Sequence, residues 1–408
     1  MNRHVFALTL KVFLVVLSLV FLALASDMTT IFQRIGRVDE SSLAQAVASP
    51  GIYAFDLSPS GQDIALLVTS GDLVDAPTWL LIANAKTAQV VRKVQIGEPA
   101  SYYLGWSYFP PQVAFSPDQK FIVVRTGGQV KILDVETLRT VRTVEAPKVG
   151  PNVPISICGS GKSDLFAISF GTGQRMESQF ERIPVHVEVI DVSDGTRHGS
   201  WDSDDIPQSL SRDAKLAAVS DHSMSGALLK LDVIDTNSGK KLAVLDGGFK
   251  FGKPEAGQTM GRVVGRFVSD EEILLSPDSN FDLSGHHSGN SLRVVHIPDG
   301  RTVQEMRPKE LGPTGEVAVS EDGGEIVAAS WYLKPDFFTH PHEPMPLGSA
   351  PELLVFSDKR DFQLSGIIKS TGGGLRVGGS ALPFRIASDG SVIAIAENHG
   401  ITVFEKPE

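Results

Sequence analysis

The residues best suited to chemistry gather in two short stretches and one histidine pair. His286 and His287 stand side by side, and His340 and His342 flank a proline. Neutral imidazole suits zinc or copper, so two such pairs brought together would form a nitrogen-rich metal site. No acidic or cysteine ligand stands at a diagnostic spacing from them, which makes solvated loop histidines the plainer account. The stretch SYYLGWSYFPP at 101–111 carries Tyr102, Tyr103, Trp106, Tyr108 and Phe109, and SWYLKPDFFTHPHEPMP at 330–346 carries Trp331, Phe337 and Phe338. Large aromatics that combine contact area with a polar tip are enriched at recognition sites. The competing account is that these rings pack on one another as a lid.

Signals for catalysis are weaker. GSGKSD at 159–164 resembles a phosphate-binding loop, but that pattern needs a glycine at 156, where the chain has Ser156. STGGGLRVGG at 370–379 has no helix after it to receive a phosphate and reads as a connection between strands. Gly-x-Ser-x-Gly does not occur. Cys158 is the only cysteine, so no intrachain disulfide forms, and it reads as an inert buried thiol. No cofactor is called for.

The N-terminus sets the compartment. Residues 1–25 hold no acid, carry Arg3 and Lys11, run apolar from Val12 to Ala25 and close on Ala23-Leu24-Ala25 ahead of Ser26. This is the layout of a secretory signal peptide with a small-residue cleavage site. The expectation is therefore an exported protein, periplasmic or extracellular. The uninterrupted apolar run is 14 residues, and the alternative is an uncleaved membrane anchor over residues 5–25, since reading through Lys11 gives 21 residues against the roughly 20 a spanning helix needs. Ser26 stands where a lipoprotein would require cysteine. Removing residues 1–25 moves the formal charge from −11 to −13. A polyanion needs Lys and Arg facing it, so nucleic acid is excluded as a partner.

The elements that must position these residues come from a repeat. A Ser-Pro-Asp turn between apolar runs appears in FSPDQKFIVV, and variants of it are placed at Ser58, Ser116, Cys158, Ser211, Ser269, Ser320 and Ser388. Each is followed by a second hairpin signal such as VKILDVETLRTVRTV or VEVIDVSDGTRHGSW. Alternating β-branched residues broken by Asp, Asn, Ser and Gly turns predict antiparallel strands, four to a unit. Periods of this length indicate a propeller or solenoid.

Units of this order resemble the blades of WD-repeat and YVTN-type β-propellers, from about residue 50 to the C-terminus. The Gly-His pair is absent, and the Trp-Asp pair is replaced by Leu133-Asp134, Ile190-Asp191 and Val295-His296, which marks a divergent propeller closer to the YVTN style. The expected fold is all-β: a seven-bladed β-propeller of four-stranded antiparallel blades, with the ring closed by an N-terminal strand. After Ser388 only two strands remain, so the last blade needs an outer strand from elsewhere, and IFQRIGRV at 31–38 is the candidate. Asp39 and Ser41 ahead of LAQAVA predict a short capped helix behind it. The organisation reads as a signal segment over 1–25, a linker and closing strand over 26–50, and the propeller over 51–408.

Successive turns of a meander alternate between the two ends of the strands. The short turns fall at one end; the long connections 70–77, 97–111, 170–184, 247–262, 279–290, 333–351 and 369–383 fall at the other. Loops on a rigid scaffold carry binding residues. The sequence therefore indicates a non-enzymatic binding or scaffold protein that recognises a protein, peptide or envelope component through its loop-rich face. The alternative is a propeller enzyme or metal-dependent module, lactonase-like or haem-dependent, with a central pocket on that face. It would need groups such as His222, Asp282, His286 and His342 to meet near the axis.

Overall fold

The computed structural model describes residues 32–70, 77–97, 113–126, 128–147, 153–171, 184–203, 206–221, 230–246, 262–278, 291–306, 317–330, 352–357, 362–369, 384–397 and 400–407. They form seven four-stranded antiparallel sheets. Blades 1 to 6 are each built from four consecutive strands. Blade 7 takes three from the C-terminus and its outer strand, Gln33–Asp39, from the N-terminus. First strands of neighbouring blades approach one another around the ring, and Phe384–Ile386 of blade 7 meets Pro50–Leu57 of blade 1 to close it.

The buried residues explain why the strands read as apolar runs more than as alternations. Seven hydrophobic clusters fill the seven junctions, one between each pair of neighbouring blades. Each sheet is thus covered on both faces, and a strand such as Asp63–Ser70 has Ile64, Ala65, Leu66, Leu67 and Val68 all at 0% exposure. Covering both faces removes the polar side that an exposed sheet would keep.

Closure follows the expectation in detail. Val38 pairs with Ile401 across the N-terminal strand and is fully buried. Gly36 in that strand lies against blade 1 so closely that an added Cβ would stand 2.1 Å from the Ala85 carbonyl oxygen. Asp39 then caps the helix Glu40–Leu43: its carboxylate accepts the Ser42 N–H at 3.0 Å, and the Ser42 hydroxyl accepts the Asp39 N–H at 2.9 Å. This reciprocal box satisfies two backbone donors that a helix start leaves open. Hydrogen bonds from Ser41 and Ser42 hold the Asp39 carboxyl below its ordinary value.

The turn between first and second strands shows why serine recurs. The Ser116 Oγ accepts the Phe121 N–H at 2.9 Å and donates to Asp118 at 2.7 Å, while Asp118 accepts the Lys120 N–H at 2.9 Å. Ser58, Ser211 and Ser320 likewise accept a backbone N–H five residues on. The placement differs from the sequence expectation in three blades. In blade 3 the turn residue is Ser160, whose N–H reaches the Leu165 carbonyl, and Cys158 lies inside the strand Val153–Gly159. In blade 5 it is Val268, because the turn closes one residue sooner on Glu272. In blade 7 it is Ala387, and the N–H of Ser388 reaches instead to the Pro59 carbonyl of blade 1. Turn length varies by a residue, and a serine beside the turn satisfies the same pattern as one within it.

Candidate functional site

The seven blades present two unlike ends. At one end lie the short turns between first and second strands and between third and fourth. At the other, every long connection leaves and re-enters the ring. The sequence assigns its candidates to the connections of that second end: Tyr102, Tyr103, Trp106, Tyr108, Phe109, Trp331, Phe337 and Phe338 as expected aromatic contacts, and His286, His287, His340 and His342 as expected metal ligands. All of them lie outside the described residues, as do His222, Asp282 and residues 1–25. Among the described residues no group of three or more His, Cys, Asp or Glu is placed to hold a metal ion.

The described residues define the axis that both ends share. Two positions before each turn residue the first strands carry a ring whose charged members are Asp56, Arg266 and Arg385, with Cys158, Ser209 and small alanines between them. Inner strands have an edge that no further strand pairs, and side chains of the neighbouring blade satisfy it. The Asp56 carboxylate accepts the Phe115 N–H at 2.9 Å. Gln208 donates to the Val263 carbonyl at 3.2 Å and accepts the Gly265 N–H at 2.8 Å, and Ser209 donates to the Gly265 carbonyl at 2.9 Å. Arg266 reaches both ways, to the Gln208 carbonyl at 2.7 Å and the Val317 carbonyl at 3.2 Å. Arg385 stands 3.4 Å from the Asp56 carboxylate and lies over the Phe55 ring. Burial pushes the Asp56 carboxyl up to about 6, against the pull of Arg385 and of the Phe115 and Leu57 N–H groups.

Cys158 sits in the same ring, buried, with its thiol pushed up to about 11 by that burial. A thiol so placed is neither a nucleophile nor a ready metal ligand at neutral pH.

At the short-turn end the axis is crossed by side chains. A Cβ added to Gly161 of blade 3 would meet the Cγ of Glu321, from blade 6, at 3.5 Å and the Cγ of Arg212, from blade 4, at 3.8 Å. Turns three blades apart in a seven-membered ring touch only across its centre. Burial raises the Glu321 carboxyl above its ordinary value, opposed by the Ser388 hydroxyl, Lys162 and Arg212. Backbone bonds tie neighbouring turns: Ser388 N–H to the Pro59 carbonyl at 2.9 Å and Asp322 N–H to the Ser388 carbonyl at 3.3 Å. Side chains from blades 4 and 6 thus meet the turn of blade 3 at this end of the axis.

The fold and the axis together define a seven-bladed, WD40-like β-propeller. No family model and no curated protein matches the chain. Solved structures do. The C-terminal WD40 domain of Sif2 is 12% identical with a TM-score of 0.50, over 93% of this chain and 99% of that one. Hydrazine synthase of Kuenenia stuttgartiensis is 15% identical with a TM-score of 0.52, over 87% of this chain and 96% of that one. A chain of the mitotic checkpoint complex is 12% identical with a TM-score of 0.51, over 93% of both chains. At such identities the likeness is one of fold.

Proposed function

We propose that this chain is an exported, non-enzymatic β-propeller of the YVTN style that recognises a protein, peptide or envelope component through its loop-rich end. The observation that carries the proposal is the asymmetry of the ends. Glu321 crosses the axis at the short-turn end, so a ligand approaches the centre from the end where the long connections attach. Those connections hold the aromatic residues Trp106, Phe109, Trp331 and Phe338. The signal-like layout of residues 1–25 supports export, and the presence of a checkpoint-complex chain among the structural neighbours supports protein recognition as a use of this fold.

The test is capture from envelope extract by the immobilised chain, with Trp106→Ala and Phe338→Ala compared with Glu136→Lys on a short turn. Loss of a captured partner with the first two and retention with the third is the expected result. Equal loss with Glu136→Lys, or no loss with either aromatic change, overturns the assignment of the face. An intact mass beginning at Ser26 in protein recovered outside the cytoplasm is the expected sign of export; a cytoplasmic chain beginning at Met1 overturns it.

A further inference from the structure

The outer strand of each blade has one edge that no strand of its own sheet pairs. Such an edge offers a row of backbone N–H and C=O groups to another chain, and a charge or a glycine inside the strand weakens that template. Six of the seven outer strands are interrupted in this way. Arg92 stands in Val90–Gly97, Arg142 in Thr140–Val144, Gly199 in Arg197–Ser203, Glu305 in Thr302–Met306, Gly366 in Gln363–Lys369 and Gly36 in Gln33–Asp39. Lys241–Asp246 of blade 4 is the exception, running Leu-Ala-Val-Leu from 242 to 245.

Its apolar side chains also stand in water. Leu242 is 58% exposed and Val244 49%, whereas Leu245, on the other face, is buried in the junction with blade 5. Among the described residues the other large apolar side chains so exposed are Val91, Val141 and Val303, one to a strand. The bulge at Leu242 lies at the strand's start, where Val233 pairs with Ala243 and Ile234 with Lys241. Bulges recur at that place in the other blades built from consecutive strands, and this one leaves Ala243–Asp246 regular.

We propose that this edge is the contact through which two copies of the chain associate. The occupant follows from the strand's own symmetry. Its start carries Lys240 and Lys241 and its end Asp246, all exposed. Lys241 is held by Asp232 of its own blade, so Lys240 is the cation presented. An antiparallel copy, turned about a two-fold axis beside Ala243, sets Leu242 of each against Val244 of the other and Asp246 of each beside the lysine end of the other. Opposite charges then flank an apolar pair, and backbone hydrogen bonds join the two four-stranded blades into one sheet. A parallel copy would set lysine beside lysine and aspartate beside aspartate, which is unfavourable. The net charge of −11 on each copy opposes the contact. One edge strand also buries less than the roughly 1,000 Å² of a durable interface, so half-association is expected on the order of tens of micromolar. Outer strands run from the short-turn end to the loop-rich end, so antiparallel pairing points the two loop-rich ends in opposite directions and leaves both open. The contact stands whether or not the loops bind a protein; only the consequence that a dimer would hold two partners on opposite sides rests on the proposed function.

The test is sedimentation equilibrium of the full chain between about 1 and 500 µM, with hydrogen exchange followed at both extremes. A monomer–dimer equilibrium is expected, with slower exchange over Ala243–Asp246 at the higher concentration. Leu242→Lys and Val244→Lys, which change exposed side chains, are each expected to weaken association by about tenfold or more at an unchanged melting temperature. Val303→Lys, on the outer strand of blade 5, is expected to leave it unchanged. Lys240→Asp and Asp246→Lys are each expected to weaken it about threefold, and the two together to restore it, because these charges meet across the two-fold axis. A chain that stays monomeric throughout overturns the proposal, as does an association that Leu242→Lys and Val244→Lys leave intact. So do an equal loss with Val303→Lys, a double reversal that restores nothing, and exchange protection confined to other residues.

Discussion

The junction that closes the ring, between blades 7 and 1, is built like the internal junction between blades 3 and 4 and yet differs from it in charge. In both, a glycine of an outer strand lies against a carbonyl of the next blade: a Cβ on Gly36 would stand 2.1 Å from the Ala85 oxygen, and one on Gly199 would stand 2.1 Å from the Thr236 oxygen. In both, a hydrophobic cluster fills the interior. In the inner ring, however, the closing junction has Arg385 facing Asp56, where the internal one has Cys158 and Ser209. Its rim adds the pair Lys86–Glu405 at 3.0 Å. Blades 3 and 4 are joined by continuous chain, and so are blades 7 and 1, since Gln33–Asp39 runs on into Pro50–Leu57; what no covalent link holds is the pairing of Gln33–Asp39 with Gly400–Glu405 inside blade 7. Ring closure therefore depends on that pairing and on the contacts of the 7/1 junction, part of which are electrostatic and respond to pH and salt.

The largest effect should come from breaking the closing strand. Val38 is fully buried, and Val38→Asp places a lone carboxylate there, expected to cost about 4 kcal/mol or more. Urea unfolding should show it as a lower midpoint. Next comes the glycine pair: Gly36→Ala and Gly199→Ala force a Cβ onto a backbone oxygen, about 3 kcal/mol each. Equal losses would show that the two junctions share one mechanical design. A loss confined to Gly199→Ala would mean that the closing strand shifts to make room, as a strand held in its blade by pairing with Gly400–Glu405 alone can do.

The sequence makes much of this legible and hides the rest for physical reasons. Seven blades and the N-terminal closing strand follow from turn chemistry and apolar runs such as Ile64–Val68, because each strand's own residues carry the signal. The turn positions slip at Cys158, Ser269 and Ser388, since Ser160, Val268 and Ala387 occupy turns whose length only the hydrogen bonds reveal. Glu321 carries no periodic signal at all, and only the meeting of turns across the ring shows that its side chain lies against Gly161 of blade 3.

The inner ring supplies the pH-dependent half of the comparison. The Asp56 carboxyl is raised to about 6 in the folded chain, mainly by burial, and an unfolded Asp titrates near 4. The folded state thus holds the proton more tightly, so the stability this group contributes is present below about pH 4 and is lost as pH rises through about 6. Asp56→Asn keeps an acceptor for the Phe115 N–H and removes the titration. Between pH 4 and 6.5 the wild-type stability should fall by about 2 kcal/mol relative to the variant, allowing for partial exposure of the side chain. Parallel curves for the two proteins would place the pH response elsewhere. No such slope is expected from a Ser209→Ala change at the 3/4 junction.

The rim pair should matter least. Lys86 is 59% exposed and Glu405 36%, so water competes for both charges and two flexible side chains must be ordered to hold them together. Pairs of this kind contribute about 0.5 kcal/mol or less. Lys86→Ala is expected to lower the melting temperature by about a degree at low salt and by about half of that or less at about 0.5 M, where the Debye length shrinks to about 4 Å. A larger or salt-independent loss would mean that the lysine stem is packing the closing blade against blade 1, and that the closing junction differs from its internal counterpart by shape as well as by charge.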